Sequence, residues 1–349
     1  MASEDSTKFT EKLSKAYEQS FIAMGVEIGL RLGIFDHMIK VGKPLTSQEI
    51  ADGLALKERY IREWLGIVTC GGVVDISKGK FSIPEHRVPV LSSTSSSNCV
   101  DFGLMIGMCA RVSDDITQCF KLDGPKGLPY SKYPLLHHWR ESTMKHTFSE
   151  DFMISNIKMV PGLLEKLEEG IEMCDLGCSS GVVPLKFAQR FPNTKVYGYD
   201  ISEDAIREAR QRAKHLGLRN AFFEVQDCCN MPEEWSKRFD LVYVFDVVHD
   251  LPKADVFLSD TQRILKPGCP ALIADINMKT DMEKNVAAGY GAMGYGCSLF
   301  HCMAVSLYED GLGLGTAWGI EKGEEMMKAA GFSKVEVVPS GQAYYICYK

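Results

Sequence analysis

The second half of this 349-residue chain predicts an α/β fold: a doubly wound, seven-stranded sheet that ends in an antiparallel hairpin, behind a mostly helical winged-helix domain. Three observations carry the prediction. From Glu172 onward, short apolar runs alternate with helix-period segments, the pattern of a parallel sheet wound with helices. The last two runs, "SKVEVVPS" and "AYYICYK", are separated only by a turn at Gly341 and read as a hairpin closing the sheet. Before residue 90 the order is helix, short helix, second helix, then two short strands.

The elements follow in order. Apolar residues at three- and four-residue spacings predict helix from about Phe9 to Met38, ending near "LG" before "IFDHM". "PLTSQEIADGL" opens a helix with Thr46 at the cap and Glu49 three residues on, a capping box. A second helix runs from about Glu58 to Thr69, stops at Gly71-Gly72, and is followed by two short strands around Ser77–Gly79. Lys43 to Arg87 holds seven basic and six acidic residues, and the second helix sets Arg59 and Arg62 beside Glu58 and Glu63. A DNA-reading helix gains from an unbroken positive face, so a packing or dimerisation module is the expected role.

A Ser-rich link, Val90–Asn98, leads to the helical stretch 99–120, a Gly/Pro loop at Lys121–Pro134 and helix again over 146–170. The strands are then "IEMCDL", "KVYGYD", "AFFEVQD", "FDLVYVFDV" and "CPALIADI", alternating with the helices "VPLKFAQRF", "EDAIREARQRAKHLG" and "KADVFLSDTQRIL". The helix "GEEMMKAAGF" precedes the hairpin. The expected division is 1–95 winged helix and dimerisation, 96–165 helical linker and substrate pocket, and 166–349 ligand-binding sheet.

Composition narrows the function. Hydrophobic residues make up 45% and charged residues 24%, ordinary globular values, and the net charge is −7. An acidic chain does not suit nucleic-acid binding, and "MASEDSTKFTEK" has no apolar core for a secretory signal. Residues 286–308 contain no Asp, Glu, Lys or Arg and are long enough to span a membrane, but their glycines, serines and His301 fit a buried or lid segment better. Twelve cysteines without a CxxC predict free thiols in a reducing, cytoplasmic compartment, and no His/Cys/Asp/Glu spacing suggests a metal.

Ligands of an open α/β sheet sit at the carboxyl ends of its strands. "CDLGCSSG", Cys174–Gly181, lies at such an end, between a strand and a helix. A dinucleotide loop starting at Gly177 needs glycines where Ser179 and Val182 stand, and no Lys follows Gly181 as a P-loop requires. What remains is Asp175, Gly177 and Gly181, with Asp200 ending the second strand and Asp227 the third. Asp200 is placed to accept from ribose hydroxyls and Asp227 from an adenine amino group. Asp175 suits a cationic ligand end better than a pyrophosphate.

With these residues the series resembles the class I S-adenosylmethionine-dependent methyltransferases. "EMCDLGCSSG" is similar to their first motif, "VYGYD" and "VQD" to the second and third, "FDLVYVFDVVHDL" to the fourth-strand motif, and "RILKPGCPALIAD" to the stretch after it. The chain departs from the pattern at Ser179 and Cys269, where glycines are usual. "LGIFDHM", "PLTSQEIADGL" and "GLGLGTAWG" extend the resemblance to two-domain, winged-helix, Rossmann-like enzymes near the small-molecule O-methyltransferases. It implies S-adenosyl-L-methionine as cofactor, held by Asp175, Gly177, Cys178, Gly181, Asp200, Ile201, Asp227, Cys228 and Phe245, and it implies a homodimer.

Methyl transfer is a displacement in which the protein aligns the nucleophile and removes its proton. His249, just past the fourth strand, is the candidate base, with Asp250 or Asp246 to orient it; the plain alternative is a strand-end histidine that hydrogen-bonds locally. Tyr130, Tyr133, His137 and His301 are candidates for the acceptor pocket, or ordinary packing, and His301 is also a second candidate for the base. The expected acceptor is a small molecule methylated on oxygen or sulfur. The competing reading is a cofactor-sensing regulator whose winged helix binds nucleic acid.

Overall fold

The computed structural model describes residues 5–95, 101–289 and 291–349, with the backbone alone at Asp101, His137, His138 and His146. The chain forms two compact units, Met1–Ala110 and Arg111–Lys349.

In the first unit the helical stretch ends at Leu32-Gly33, as expected, and a second helix follows: the two are Ser6–Arg31 and Ile34–Val41. Gly33 between them takes a left-handed φ of 65°, which ends one helix and starts the next at a new angle. The helix Ser47–Leu54 opens on the expected box: Thr46 Oγ1 accepts from the Glu49 amide at 3.2 Å, and the Thr46 amide donates to Glu49 Oε2 at 2.7 Å. Glu58–Cys70 is the second helix, and strands β1, Asp75–Ser77, and β2, Lys80–Ser82, pair antiparallel as the wing. Ile34, Phe35, Ile50, Trp64, Leu65 and Val68 make its core. Arg59 pairs with Glu63 at 2.5 Å, and Arg62 takes both oxygens of Glu58. Both arginines of the second helix are thus neutralised within their own helix. The helix Asp101–Arg111 completes the unit; residues 96–98 of the Ser-rich link lie outside the described residues.

The second unit holds a mixed seven-stranded sheet. Its strands are β3 (Glu172–Leu176), β4 (Lys195–Asp200), β5 (Ala221–Val225), β6 (Leu241–Phe245), β7 (Pro270–Asp275), β8 (Lys334–Ser340) and β9 (Gln342–Tyr348). Their order is β5-β4-β3-β6-β7-β9-β8. β3 to β7 run parallel, and β9 lies antiparallel between β7 and β8, so the hairpin inserts its second strand. Side chains alternate between two cores. Cys174, Val242, Val244, Ile273 and Tyr345 face one, with Phe257 and Met327 from the helices Ala254–Ile264 and Ile320–Ala329. Met173, Leu241, Tyr243, Leu272 and Tyr344 face the other, with Phe148, Ile157 and Phe187. The winding direction reverses at β3, and the crevice between β3 and β6 at their carboxyl ends is the place such sheets keep for ligands.

Two differences from the sequence expectation bear on that crevice. The helix Leu136–Thr147 has no sequence signal over 135–145, because "LHHWRESTMKHT" lacks an apolar stripe. The uncharged stretch is no single span: it breaks into helices Met282–Ala287 and Ala292–Cys297, a π-helical turn Ser298–Cys302 and a helix Met303–Tyr308. Among the described residues no helix is long and apolar enough to cross a membrane.

Candidate active site

β3 delivers the chain into a loop that doubles back under its own backbone. The Gly177 and Cys178 amides both donate to Tyr199 O, at 2.8 and 3.0 Å, which ties the loop to β4. Gly177 and Gly181 each sit at φ 80°. A Cβ at Gly177 would lie 2.7 Å from Val247 Cγ2, and one at Gly181 2.8 Å from Phe223 Cε1. Both positions therefore require glycine for conformation and for space. Ser179 also takes a left-handed φ, 48°, at a place where a side chain costs about 1–2 kcal/mol. Its amide donates to Asp200 Oδ2 at 2.8 Å, and the Ser202 amide donates to Oδ1 at 2.9 Å. The other departure is different: the left-handed residue of its turn is Gly268 (φ 74°), and Cys269 has no need to be glycine.

Above the loop is a cavity of about 60 Å³. Asp175, Gly177, Cys178 and Ser179 line it from the loop, Phe245 and Asp246 from the end of β6, and Trp139, Arg140 and Met144 from the helix Leu136–Thr147. Asp175 is 3% exposed. Burial, then the nearby Asp200 carboxylate, push its carboxyl up to about 8, and among the described residues no cation pairs with it. A buried carboxylate that faces a cavity without a cation of its own fits a ligand that brings one. S-adenosylmethionine does so, through its sulfonium and ammonium groups, and the residues present fit it. Asp200, Ile201, Asp227 and Cys228 lie outside this lining, at the ends of β4 and β5. Ile201 is 70% exposed, and Asp227 caps its own turn through the Cys229 amide at 2.8 Å.

Beside the cavity lies a buried ionic network. His249 stands in the 3₁₀ turn Val248–Asp250 that follows β6, and is 3% exposed. Its Nδ1 meets Asp275 Oδ1 at 2.8 Å, and its Nε2 faces Asp250 Oδ1 at 3.3 Å. Asp275 ends β7; the same oxygen accepts from the Ile276 amide at 2.7 Å and from Trp318 Nε1 at 3.4 Å. Asp250 Oδ2 accepts from Arg140 Nη2, and Arg140 also lines the cavity. Burial opposes the charged imidazole, but Asp275 and Asp250 outweigh it and hold the His249 pKa well above the ordinary value. Burial likewise opposes the Asp250 charge, yet His249 and Arg140 keep that carboxyl below the usual range. Asp246 is raised by burial, is strained at φ 61°, and has one oxygen, Oδ1, without a partner.

Of the residues expected at the acceptor end, Tyr133 and His301 pack ring to ring at 4.8 Å, and Tyr130 lies 5.9 Å from His301. The Tyr133 hydroxyl donates to Phe300 O at 2.6 Å. Burial drives His301 down to about 4, so its ring is neutral. His137 was also expected here; its side chain lies outside the described residues. Sequence reasoning missed Asp275 and Arg140. Asp275 ends a strand the sequence did reveal, and its signal was the same strand-end position that singled out Asp200. Arg140 gave no signal, since no pattern marks residues 135–145 as helix.

Comparison with known proteins agrees with this architecture. A methyltransferase-domain family model matches residues 167–331, and an Rv2258c-like winged helix–turn–helix model matches 20–93. The fatty-acid O-methyltransferase of Mycolicibacterium smegmatis is 31% identical over 178 residues, 50% of this chain and 58% of that protein. Methyltransferase GfsG of Streptomyces halstedii is 27% identical over 150 residues, 41% of this chain and 53% of its own length. The chain thus spans about half the length of these relatives. The solved structure of human N-acetylserotonin methyltransferase in complex with S-adenosylmethionine superposes with a TM-score of 0.72 over 100% of this chain and 99% of that one, at 17% identity, a likeness of fold.

Proposed function

We propose that this chain, a methyltransferase-domain protein with an N-terminal winged helix–turn–helix domain, is an S-adenosylmethionine-dependent methyltransferase acting on a small-molecule acceptor through oxygen or sulfur. The observation that carries the reading is the pairing of two features around one cavity. A buried carboxylate without a cation, Asp175, lines it at the loop, and a carboxylate-held histidine, His249, follows β6 in a network that reaches the same cavity through Arg140.

The bound cofactor supplies an electrophilic methyl group on sulfonium. Asp175 favours the cationic end of that ligand, Gly177 lets it approach the backbone, and the carboxylates of Asp200 and Asp227 receive ribose and base. His249 is the candidate general base, and Asp275 fixes its ring and stabilises the imidazolium formed when the acceptor's proton arrives. Because the network also favours the charged ring in the absence of acceptor, the active form is the minor, neutral imidazole, and the rate rises with pH. Phe245, Met144 and Trp139 keep the crevice apolar, which suits an aromatic or lipid-like acceptor.

The reading includes a cytoplasmic homodimer. The cysteines among the described residues are free, as in a reducing compartment. Phe9, Leu13, Tyr17, Phe21, Met24 and Ile28 are all exposed along one row of the first helix, at three- and four-residue steps. A row of that length supports self-association. The test of the activity is transfer of a labelled methyl group from the cofactor to a panel of phenols, fatty acids and thiols. Transfer that needs His249 supports the reading; cofactor binding without transfer to any of the three classes counts against it.

A further inference from the structure

Residues fifty positions apart in the chain meet at the reaction end. The 3₁₀ turn after β6 brings His249 and Asp250; the π-helical turn Ser298–Cys302 brings Cys302. One nitrogen, one oxygen and one sulfur of these three all lie within 4.8 Å of one another, and the residues are 3%, 4% and 5% exposed. We propose that His249 Nε2, Asp250 Oδ1 and Cys302 Sγ form a site for one divalent cation of the zinc class, and that filling it takes His249 out of proton transfer. The second half rests on the reading of His249 as base; the first half does not.

Four features support the site. Tetrahedral zinc with bonds of about 2.0–2.3 Å sets its ligand atoms about 3.3–3.8 Å apart, and Nε2 and Oδ1 already stand 3.3 Å apart. Two ligands have an outer partner that leaves the inward atom free, His249 Nδ1 being held by Asp275 and Asp250 Oδ2 by Arg140, while Cys302 Sγ itself receives the Thr316 hydroxyl at 3.2 Å and lies 3.4 Å from His301 Nδ1. A carboxylate behind the imidazole is the usual support of a metal-bound histidine. Asp250 Oδ1 lacks a hydrogen bond of its own although its residue is 4% exposed, and the neighbouring His301 Nε2 is also buried and unpartnered. The mixed N, O, S set selects a borderline ion over magnesium or calcium, and three protein ligands leave a fourth position open. Charge also balances, since one divalent ion replaces the second imidazole proton and the thiol proton, which leave to solvent.

Asp246, His249 and Asp275 form a second such group, but it overlaps the first and opposes the hydrogen bond already made at 2.8 Å between His249 Nδ1 and Asp275. Neither is legible in the sequence, because the ligands come from separate turns and no local spacing links them.

Cobalt(II) titration of the reduced, full-length protein tests the proposal. One equivalent is expected to raise a thiolate-to-cobalt charge-transfer band, which zinc then removes by displacement. Cys302→Ser should abolish the band, and His249→Ala should weaken binding by more than the roughly 100-fold that loss of an outer partner costs. Cys70→Ser, at an exposed cysteine, should leave it unchanged. Should Cys302→Ser fail to fold, Thr316→Val keeps the ligands and is expected to weaken binding about 10- to 100-fold with the band retained. No band in the wild type, or a band that survives Cys302→Ser, overturns the site. Zinc should inhibit methyl transfer in step with occupancy while calorimetric cofactor binding is unchanged; full activity at full occupancy overturns the inhibitory half. Absence of transfer in metal-free protein bears on the methyltransferase reading alone, and the cobalt band is read independently of it.

Discussion

The two ends of the crevice are built on opposite electrostatic plans. At the loop, Asp175 is buried with no cation of its own and stays protonated near neutrality. At the reaction end, His249, Asp250, Asp275 and Arg140 pair with one another, with Asp250 Oδ1, Asp275 Oδ2 and Arg140 Nε left without a hydrogen bond. The first end has no cation of its own; the second holds its charges in pairs before any substrate arrives. A buried charge left unpaired is costly, and a paired one is costly to break. The loop should therefore respond to ligand and the network to mutation.

The largest effect falls in the network. His249→Ala should lower kcat by about 100- to 10,000-fold for a hydroxyl acceptor, with cofactor affinity unchanged. A thiol acceptor ionises near neutrality and would lose little rate, so the same variant, measured on phenols and thiols side by side, separates the two nucleophiles. Asp275→Asn should follow. It removes the partner that raises the His249 pKa, so the rising limb of the pH–rate profile moves to lower pH while its plateau falls. A plateau lowered without that movement would mean that Asp275 only packs.

At the loop the effects are smaller and depend on pH. Asp175 is raised to about 8 in the folded protein, above its unfolded value. Its neutral form stabilises the empty fold, fully at low pH, and this contribution is lost as pH rises through 8. Cofactor needs the ionised form, so its affinity should rise by about tenfold per pH unit between roughly pH 6 and 8. Asp175→Asn should flatten both trends and weaken binding about tenfold or more above pH 8. Calorimetry and thermal unfolding across that range read the two together. Ser179→Gly is the least: relief of the left-handed strain, partly offset by a looser unfolded chain, should raise stability by about 1 kcal/mol or less. A loss of stability would mean that the serine side chain makes a contact worth more than its strain.

The two ends also differ in how readable they were. The loop, its glycines and the strand-end acids lie in contiguous segments, since a parallel sheet places each ligand contact directly after a strand. Asp175, Gly177, Asp200 and Asp227 could be named from order alone, although Asp200 and Asp227 are already engaged with backbone amides. The network joins residues 140, 249–250, 275, 302 and 316, which only the tertiary fold brings together. Asp246 and Asp250 were named as partners for His249, but Asp275 holds the ring at the shorter distance. Local pattern failed in one place for a physical reason. The helix Leu136–Thr147 has no apolar stripe because one side of it lines a cavity. The end of the long first helix was legible at "LG", where Gly33 reverses the sign of φ.

The central claim is that the loop end is a cofactor site waiting for a cation. Calorimetric titration of S-adenosylmethionine into wild type and Asp200→Ala, at two pH values on either side of 7, tests it most directly. The account predicts binding by the wild type that strengthens at the higher pH and is lost or strongly weakened in Asp200→Ala. Absence of binding to the wild type at both pH values, or equal binding by the variant, would contradict it.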